Sequence, residues 1–307
     1  DTDYCREAGI KWTNAPGCNA ASVRQYVVST LLYLASEKGL KLNELTLGVV
    51  GVGNVGTKVA GAAEALGMKV LLNDPPRARK EGGQGFVSLS ELQKQADVIS
   101  LHVPLNRGGE DKTLEMVNQI FIEKLKPGTI LINSSRGAVV SQSDLIEGKK
   151  SGKLSELILD VFPGEPDINP ELLKLLTIAT PHIAGYSLDG KANGTGMSVR
   201  AISQHFGLGL DDWQPLDIPA PVPNQLLGDA ESGELYEILW EIYRNSYDVT
   251  GDDARLREHP EAFEALRGDY PFRREPQAYS VRLFQGYDEI RNTLEALGFS
   301  MLADHCS

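Results

Sequence analysis

TLGVVGVGNVGTKVAGAAEALGMKVLLND, residues 46–74, is the stretch whose reading decides the fold. An apolar run, Leu47, Val49, Val50 and Val52, is interleaved with Gly48 and Gly51. Gly51, Gly53 and Gly56 then form G-x-G-x-x-G, with Asn54 and Val55 inside it. Val55, Val59, Ala62, Ala63 and Leu66 follow at helical spacing, and a second apolar run over 70–72 ends at Asp74, 18 positions after the third glycine. The order predicts a strand, a glycine turn, a helix and a second strand. In such a unit Gly51 allows the tight turn, Gly53 lets the backbone approach a pyrophosphate, and Gly56 lets the helix lie close on the strand. The helix N-terminus offers unpaired N–H groups to the phosphates. Gly51, Gly53, Asn54, Val55 and Gly56 are therefore candidate cofactor-binding residues. Asp74 can accept both hydroxyls of an adenosine ribose and repels a 2′-phosphate, which favours NAD over NADP. Arg77 and Arg79, close behind it, work against that preference, because an arginine there can pair with a 2′-phosphate.

Composition limits the alternatives. A chain of 307 residues suggests about two domains, and 41% hydrophobic content is ample for a core. The formal charge of −12 argues against nucleic acid or an anionic membrane as partner, although a local basic pocket can still bind a small anion. Cys5, Cys18 and Cys306 are widely spaced with no C-x-x-C, which reads as free thiols in a reducing compartment. His205, His259 and His305 have no acidic or histidine partner at metal spacing, so no metal site is expected. The longest apolar stretch, 27–35, is interrupted by Ser29, Thr30 and Tyr33 and is too short to span a bilayer. No signal peptide is read, and a cytoplasmic location is expected.

Outside the nucleotide unit the chain begins with a short helix over 4–8, an apolar segment and a turn at 14–17. Asn19 or Ser22 can cap a helix that runs to Lys38 and stops at Gly39. Downstream, helices over 89–96, 118–125, 141–149 and 170–175 alternate with strands over 97–101, 129–133, 157–161 and 177–180. Near-continuously apolar strands alternating with helices predict an α/β protein with a Rossmann-type, doubly wound parallel sheet covered on both faces. A polar, glycine-rich loop over 185–193 and a helix over 196–206 come next. Three prolines in 217–224 mark a linker. Beyond it, helices over 234–244, 260–267 and 286–297 and a strand over 278–283 predict a separate small α+β unit.

Ligands of such sheets sit at the carboxyl ends of the strands. Ser134, Ser135 and Arg136 follow one strand, Glu165 follows the next, and His182 and Tyr186 follow the one after. An arginine can hold a carboxylate by two parallel hydrogen bonds. A histidine can take a hydroxyl proton. A glutamate on its other ring nitrogen fixes the tautomer. Together they form the apparatus for oxidising a 2-hydroxy acid with NAD. His102, at another strand end, lines the cofactor site or caps the strand, and Asp160 caps backbone or contacts the cofactor.

GVVGVGNVG, LLNDPPRA, LINSSRGAVV, LDVFPGEPD and TPHIAGYSLDGKANGTG together resemble the D-2-hydroxyacid dehydrogenase superfamily and, within it, the erythronate-4-phosphate dehydrogenase family. APGCNA over 15–20, the run over 74–78, the segment over 182–195 and the segments DDARLR and ALRGDYPFRRE set that family apart. The resemblance implies Arg136, Glu165 and His182 as catalytic residues. It implies Asp74, Ser134, Ser135, Arg136, Asp160 and Gly185 as NAD contacts, with Val103 beside them, and Tyr186 as a substrate contact. The implied reaction oxidises 4-phospho-D-erythronate at C2 to 2-oxo-3-hydroxy-4-phosphobutanoate, a step of pyridoxal 5′-phosphate biosynthesis, in a homodimer. Four regions follow from it: a remnant of a truncated flavodoxin-like substrate domain over 1–17, the NAD-binding domain over 18–190, a return helix and linker over 191–220, and a dimerisation domain over 221–307. Where the family commonly has Glu and Thr, this chain has Pro163 and Val103. The family's N-terminal substrate-domain units have no counterpart in the sequence, so a truncated chain that binds NAD but turns over poorly is expected. Arg273 and Arg274 are candidates for the substrate phosphate. The alternatives are a relative acting on phosphoglycerate or glycerate, and a non-catalytic NAD-binding regulatory protein.

Overall fold

The structure, a computed structural model, describes residues 1–228, 233–284 and 288–303. Cys306, His305 and the first two residues of the helix expected over 286–297 lie outside the described residues. Six strands, β1 Thr46–Val50, β2 Lys69–Asn73, β3 Val98–Leu101, β4 Thr129–Asn133, β5 Leu154–Leu159 and β6 Ile178–Ala179, form one sheet in the order β2-β1-β3-β4-β5-β6. Every pairing in it is parallel. The strand order reverses between β1 and β3, and that switch point opens a crevice at the carboxyl ends of the strands.

Side-chain alternation along the strands divides the core. Val49, Val98, Ile130, Ile132 and Ile158 belong to one apolar cluster. Their neighbours Val50, Ile99, Leu131, Leu157 and Leu159 belong to the other. Consecutive residues of a strand point to opposite faces, so uninterrupted Val, Ile and Leu is what a sheet buried on both sides requires.

The helix Ala20–Lys38 is the main element of the first face. Thirteen of its 19 residues are buried, with Tyr26, Leu32 and Leu34 fully so. It is enclosed because it packs between the nucleotide-unit helix Asn54–Ala65 and the later helix Leu235–Ser246. Its polar groups bond outward to the C-terminal unit: Ser29 Oγ donates to the carbonyl of Tyr247 at 3.0 Å and Gln25 Nε2 to that of Arg274 at 3.0 Å.

The C-terminal unit contains a second, parallel sheet of β7 Gln225–Gly228, β8 Ser280–Leu283 and β9 Ser300–Met301. Its helix Val249–Glu258 lies on the edge of the large sheet. Asp253 Oδ1 accepts from the β6 amide of Ala179 at 2.7 Å, and Arg257, fixed by Asp253, donates to the carbonyls of Leu173 and Leu176 at 2.9 and 2.8 Å. A short edge strand is thereby covered rather than left free to pair with another chain.

Most expected elements form within a residue or two, and four features differ. The strand expected over 157–161 is Leu154–Leu159, which leaves Asp160 just beyond its end. The segment expected as a loop over 185–193 is largely helical, because the helix starts at Leu188 and continues to Phe206. Ser187 caps it, accepting from the Gly190 amide at 2.8 Å. Gly190 is present for proximity: a Cβ there would meet Ser187 Oγ and Ser22 Oγ at 3.1 Å. The helices Pro75–Glu81 and Val249–Glu258, and β7 and β9, were not anticipated. Among the described residues, no helix is long and apolar enough to cross a membrane, and no group of His, Cys, Asp and Glu could hold a metal ion.

Candidate active site

The glycine turn shows three different packings. A Cβ on Gly51, which has φ +88°, would lie 2.6 Å from the carbonyl oxygen of His102 across the switch point. On Gly56 it would lie 2.0 Å from the carbonyl of Gly51, so helix and strand touch there. On Gly53 it would meet nothing within 4 Å. The first and third glycines are closed in and the middle one is open, which is the space a pyrophosphate needs. Asn54 begins the helix and its side chain lies against Gly17. Asp74 accepts from the Val52 amide at 2.8 Å and from the Arg77 amide at 3.0 Å, so it ties the turn to the helix Pro75–Glu81 that it caps.

The opposition expected from Arg77 and Arg79 is weakened by their partners. The Arg77 guanidinium pairs with Glu81 at 2.9 Å. Arg79 pairs with Asp111 at 2.5 Å and with Glu110 at 3.3 Å. Both are occupied by carboxylates of this chain.

A cleft of about 410 Å³ opens at the switch point. It brings together Val55, Val103, Ser134, Ser135, Arg136, Asp160, His182, Gly185 and Tyr186, residues separated by up to 131 positions in sequence. A second groove shares Val103 and adds Gly51 and Asp74. Two polar atoms of cleft residues, His102 Nδ1 and Ser134 Oγ, are enclosed without a hydrogen-bond partner. Buried polar atoms are rarely left so, and a ligand or an ordered water at the cleft would satisfy them. With the open position over Gly53, they show that the residues present fit a dinucleotide.

His182 follows β6 with φ +59°, a left-handed conformation uncommon for a residue with a side chain. Its amide is held by the carbonyl of Asp160 at 2.8 Å. In this pose its Nδ1 meets Glu165 Oε1 at 2.6 Å. Glu165 Oε2 accepts from the Phe162 amide at 3.0 Å. Burial pushes the Glu165 carboxyl up, but the bonds from His182 and Phe162 and the nearby Arg267 outweigh it and hold it below its ordinary range. Glu165 is therefore ionised at neutral pH, Nδ1 is committed to it, and Nε2 remains for a ligand in the cleft.

Arg136 caps the turn after β4 and is exposed, and its Nη1 donates to the carbonyl of Ser135 at 2.6 Å. Asn133 Oδ1 accepts from both the amide and the hydroxyl of Ser135, at 3.0 and 2.7 Å, which fixes that turn. Asp160 is fully enclosed and accepts from Thr180 Oγ1 at 2.7 Å and from the amides of Ile183 and Ala184 at 2.8 and 2.9 Å. Burial raises its pKa in spite of those bonds. Of its two expected roles, backbone capping is the one its bonds display. The same holds for His102 in part: Nε2 meets Ser100 Oγ at 2.9 Å while Nδ1 is enclosed without a partner.

Two arginines expected at the substrate phosphate stand elsewhere. Arg273 is buried, donates to the carbonyl of Ala184 at 2.6 Å and lies 4.3 Å from the ring centre of Tyr247. Arg274 makes two bonds to Asp189, at 2.9 and 3.0 Å. Arg273 is buried away from the cleft, with Nε and Nη1 unpartnered, and Arg274 is held by Asp189, so neither lines the cleft that a substrate phosphate would enter. Arg267, which the sequence did not single out, lines the cleft instead. Asn19 was also missed as a site residue: its side chain makes no capping bond and lies over Gly185, where a Cβ would sit 2.4 Å from its Nδ2. No local pattern marks either residue, since each reaches the cleft from a distant segment.

Comparison with known proteins places this geometry. The profile of the D-isomer specific 2-hydroxyacid dehydrogenase NAD binding domain matches residues 22–184. A domain of unknown function matches 218–298. The chain is 48% identical over 282 residues to an erythronate-4-phosphate dehydrogenase of Bacteroides fragilis, covering 92% of this chain and 78% of that protein. It is 44% identical over 282 residues to one of Escherichia coli, covering 90% and 73%. Among solved structures it is similar to D-lactate dehydrogenase of Aquifex aeolicus complexed with NAD and lactic acid, with a TM-score of 0.58 and 33% identity over 69% of this chain and 74% of that one.

Proposed function

Because the chain belongs to the erythronate-4-phosphate dehydrogenase family of NAD-dependent D-2-hydroxyacid dehydrogenases, we propose that it oxidises 4-phospho-D-erythronate at C2 to 2-oxo-3-hydroxy-4-phosphobutanoate, in the synthesis of pyridoxal 5′-phosphate. The observation that carries the reading is the 2.6 Å pair of His182 and Glu165 on the same cleft as Arg136.

Arg136 receives the substrate carboxylate on its free guanidinium edge, which fixes C2 beside His182. His182 takes the C2 hydroxyl proton on Nε2, and the ionised Glu165 stabilises the imidazolium that results. The glycine turn, Asn54, Val55, Asp74, Ser134 and Ser135 would hold NAD. When bound, NAD accepts the hydride that leaves C2. The Asp74 carboxylate disfavours a 2′-phosphate, and the pairing of Arg77 and Arg79 with acids removes the cations that would attract one.

A cytoplasmic homodimer is part of the same reading. Phe272, Leu227 and Phe284 of the C-terminal unit are exposed at 82%, 59% and 62%, apolar surface that supports self-association through that unit. NADH formation from 4-phosphoerythronate, 3-phosphoglycerate and D-glycerate, with NAD and then NADP, tests the assignment. Selective turnover of the first with NAD is expected. Preference for either other acid moves the protein to a neighbouring specificity, and NAD binding without turnover of any favours a regulatory role.

A further inference from the structure

We infer that Arg267, with Lys191 near the same Tyr186 ring, is the specificity-determining residue that holds the terminal phosphate of the substrate; this rests on the proposed reaction. A phosphorylated 2-hydroxy acid carries two separate anionic ends, and Arg136 accounts for one. Arg267 comes from the helix Phe263–Gly268 of the C-terminal unit and lines the same cleft. Its Nε donates to the Tyr186 hydroxyl at 3.1 Å, and its guanidinium carbon lies 5.8 Å from the Tyr186 ring centre. Lys191 Nζ lies 5.3 Å from the same ring centre.

The charge pattern supports this placement. The chain has 42 acidic and 30 basic residues, and several of its arginines are matched: Arg77 by Glu81, Arg79 by Asp111, Arg257 by Asp253, Arg274 by Asp189. Among the described residues, no carboxylate lies within 4.0 Å of a charged nitrogen of Arg267 or Lys191. Arg267 beside Arg136 in one cleft of an acidic protein, with Lys191 near the Tyr186 ring that also lines it, focuses a positive potential where a multiply charged anion must enter. The bond from Nε orients Arg267 and leaves both terminal nitrogens, the fork that suits two phosphate oxygens. Arg273 and Arg274, the other basic residues of this region, are withdrawn into the fold.

The test compares kcat/KM for 4-phosphoerythronate and unphosphorylated D-erythronate in the full-length protein and in Arg267→Gln and Arg267→Lys. Arg267→Gln is expected to lower the ratio of the two by roughly 10–100-fold, the usual weight of a charge-assisted contact, because the loss falls more heavily on the phosphorylated acid than on D-erythronate. Arg267→Lys is expected to restore part of the ratio. Wild-type protein that fails to prefer the phosphorylated acid would sink the substrate assignment itself. Wild-type preference with an unchanged ratio in Arg267→Gln, or an equal fall for both acids, would overturn the role of Arg267.

Discussion

His182 holds a backbone conformation that costs of order 1–3 kcal/mol in a residue with a side chain, and such strain persists where neighbours fix it. The neighbours here are Asp160, whose carbonyl takes the His182 amide and whose carboxylate takes the next two amides. The buried Asp160 therefore shapes the loop that aims His182. Replacing His182 with Ala is expected to lower kcat by about 10²–10⁴-fold while the Kd for NAD, read by fluorescence titration, stays unchanged; full activity would exclude it as the base. A second residue gives a pH prediction. Burial lowers the His102 pKa from 6.5 to about 3. Between those values the unfolded chain binds a proton that the folded chain refuses, so stability is complete above pH 6.5 and falls as pH drops toward 3. At pH 5 the loss is about 2 kcal/mol. Urea unfolding at pH 7 and 5 should show His102→Gln losing less between the two than the wild type; equal losses would contradict the assignment. Arg136, Glu165 and His182 were legible because each stands just after an apolar strand run. The bond between Glu165 and His182 was a chemical expectation whose geometry needed the β5 and β6 ends side by side.

The glycine turn separates two effects that one motif usually merges. Gly53→Ala meets open space in the folded protein, so its melting temperature should hold while NAD affinity falls. Gly56→Ala drives a methyl to within 2.0 Å of the Gly51 carbonyl, so its melting temperature should drop even without cofactor. Calorimetry with and without NAD distinguishes the two, and the same response from both would refute the packing distinction. At the start of the helix Leu188–Phe206, Ser187 Oγ caps Gly190, meets Ser22 Oγ at 2.5 Å and donates to Glu275 at 2.8 Å. Ser187→Ala removes the cap and one of the donors to a buried carboxylate, and should cost about 1–3 kcal/mol in denaturant unfolding; a change under half a unit would argue against that network. The glycines of 185–193 read as loop because helix propensity alone penalises them. Gly190 sits in a helix because its close approach to Ser22 of the helix Ala20–Lys38 leaves no room for a side chain.

The whole molecule is joined through that helix. Tyr33 on it and Trp240 of the C-terminal unit meet edge to face, ring centres 5.9 Å apart, within an apolar cluster that runs from the strands of the large sheet to Phe299. Trp240→Ala should remove about 3–5 kcal/mol and shift a single unfolding transition. Two separated transitions would show that the units melt independently. The sequence by itself determined the parallel sheet, the nucleotide turn and the identity of the residues at the strand ends, because these depend on periodicities of two and 3.6 and on glycine spacings that act over a few residues. It also determined that a small patterned unit follows the proline-rich segment. Only the tertiary structure decided which charges are spent inside the fold and which face the cleft. Arg273, Arg274 and Arg267 lie within eight residues of one another and differ in nothing local, yet one is buried, one is paired with Asp189 and one lines the site. A charged side chain takes its role from the partners within a few ångströms of it, and those partners come from segments that sequence order keeps far apart.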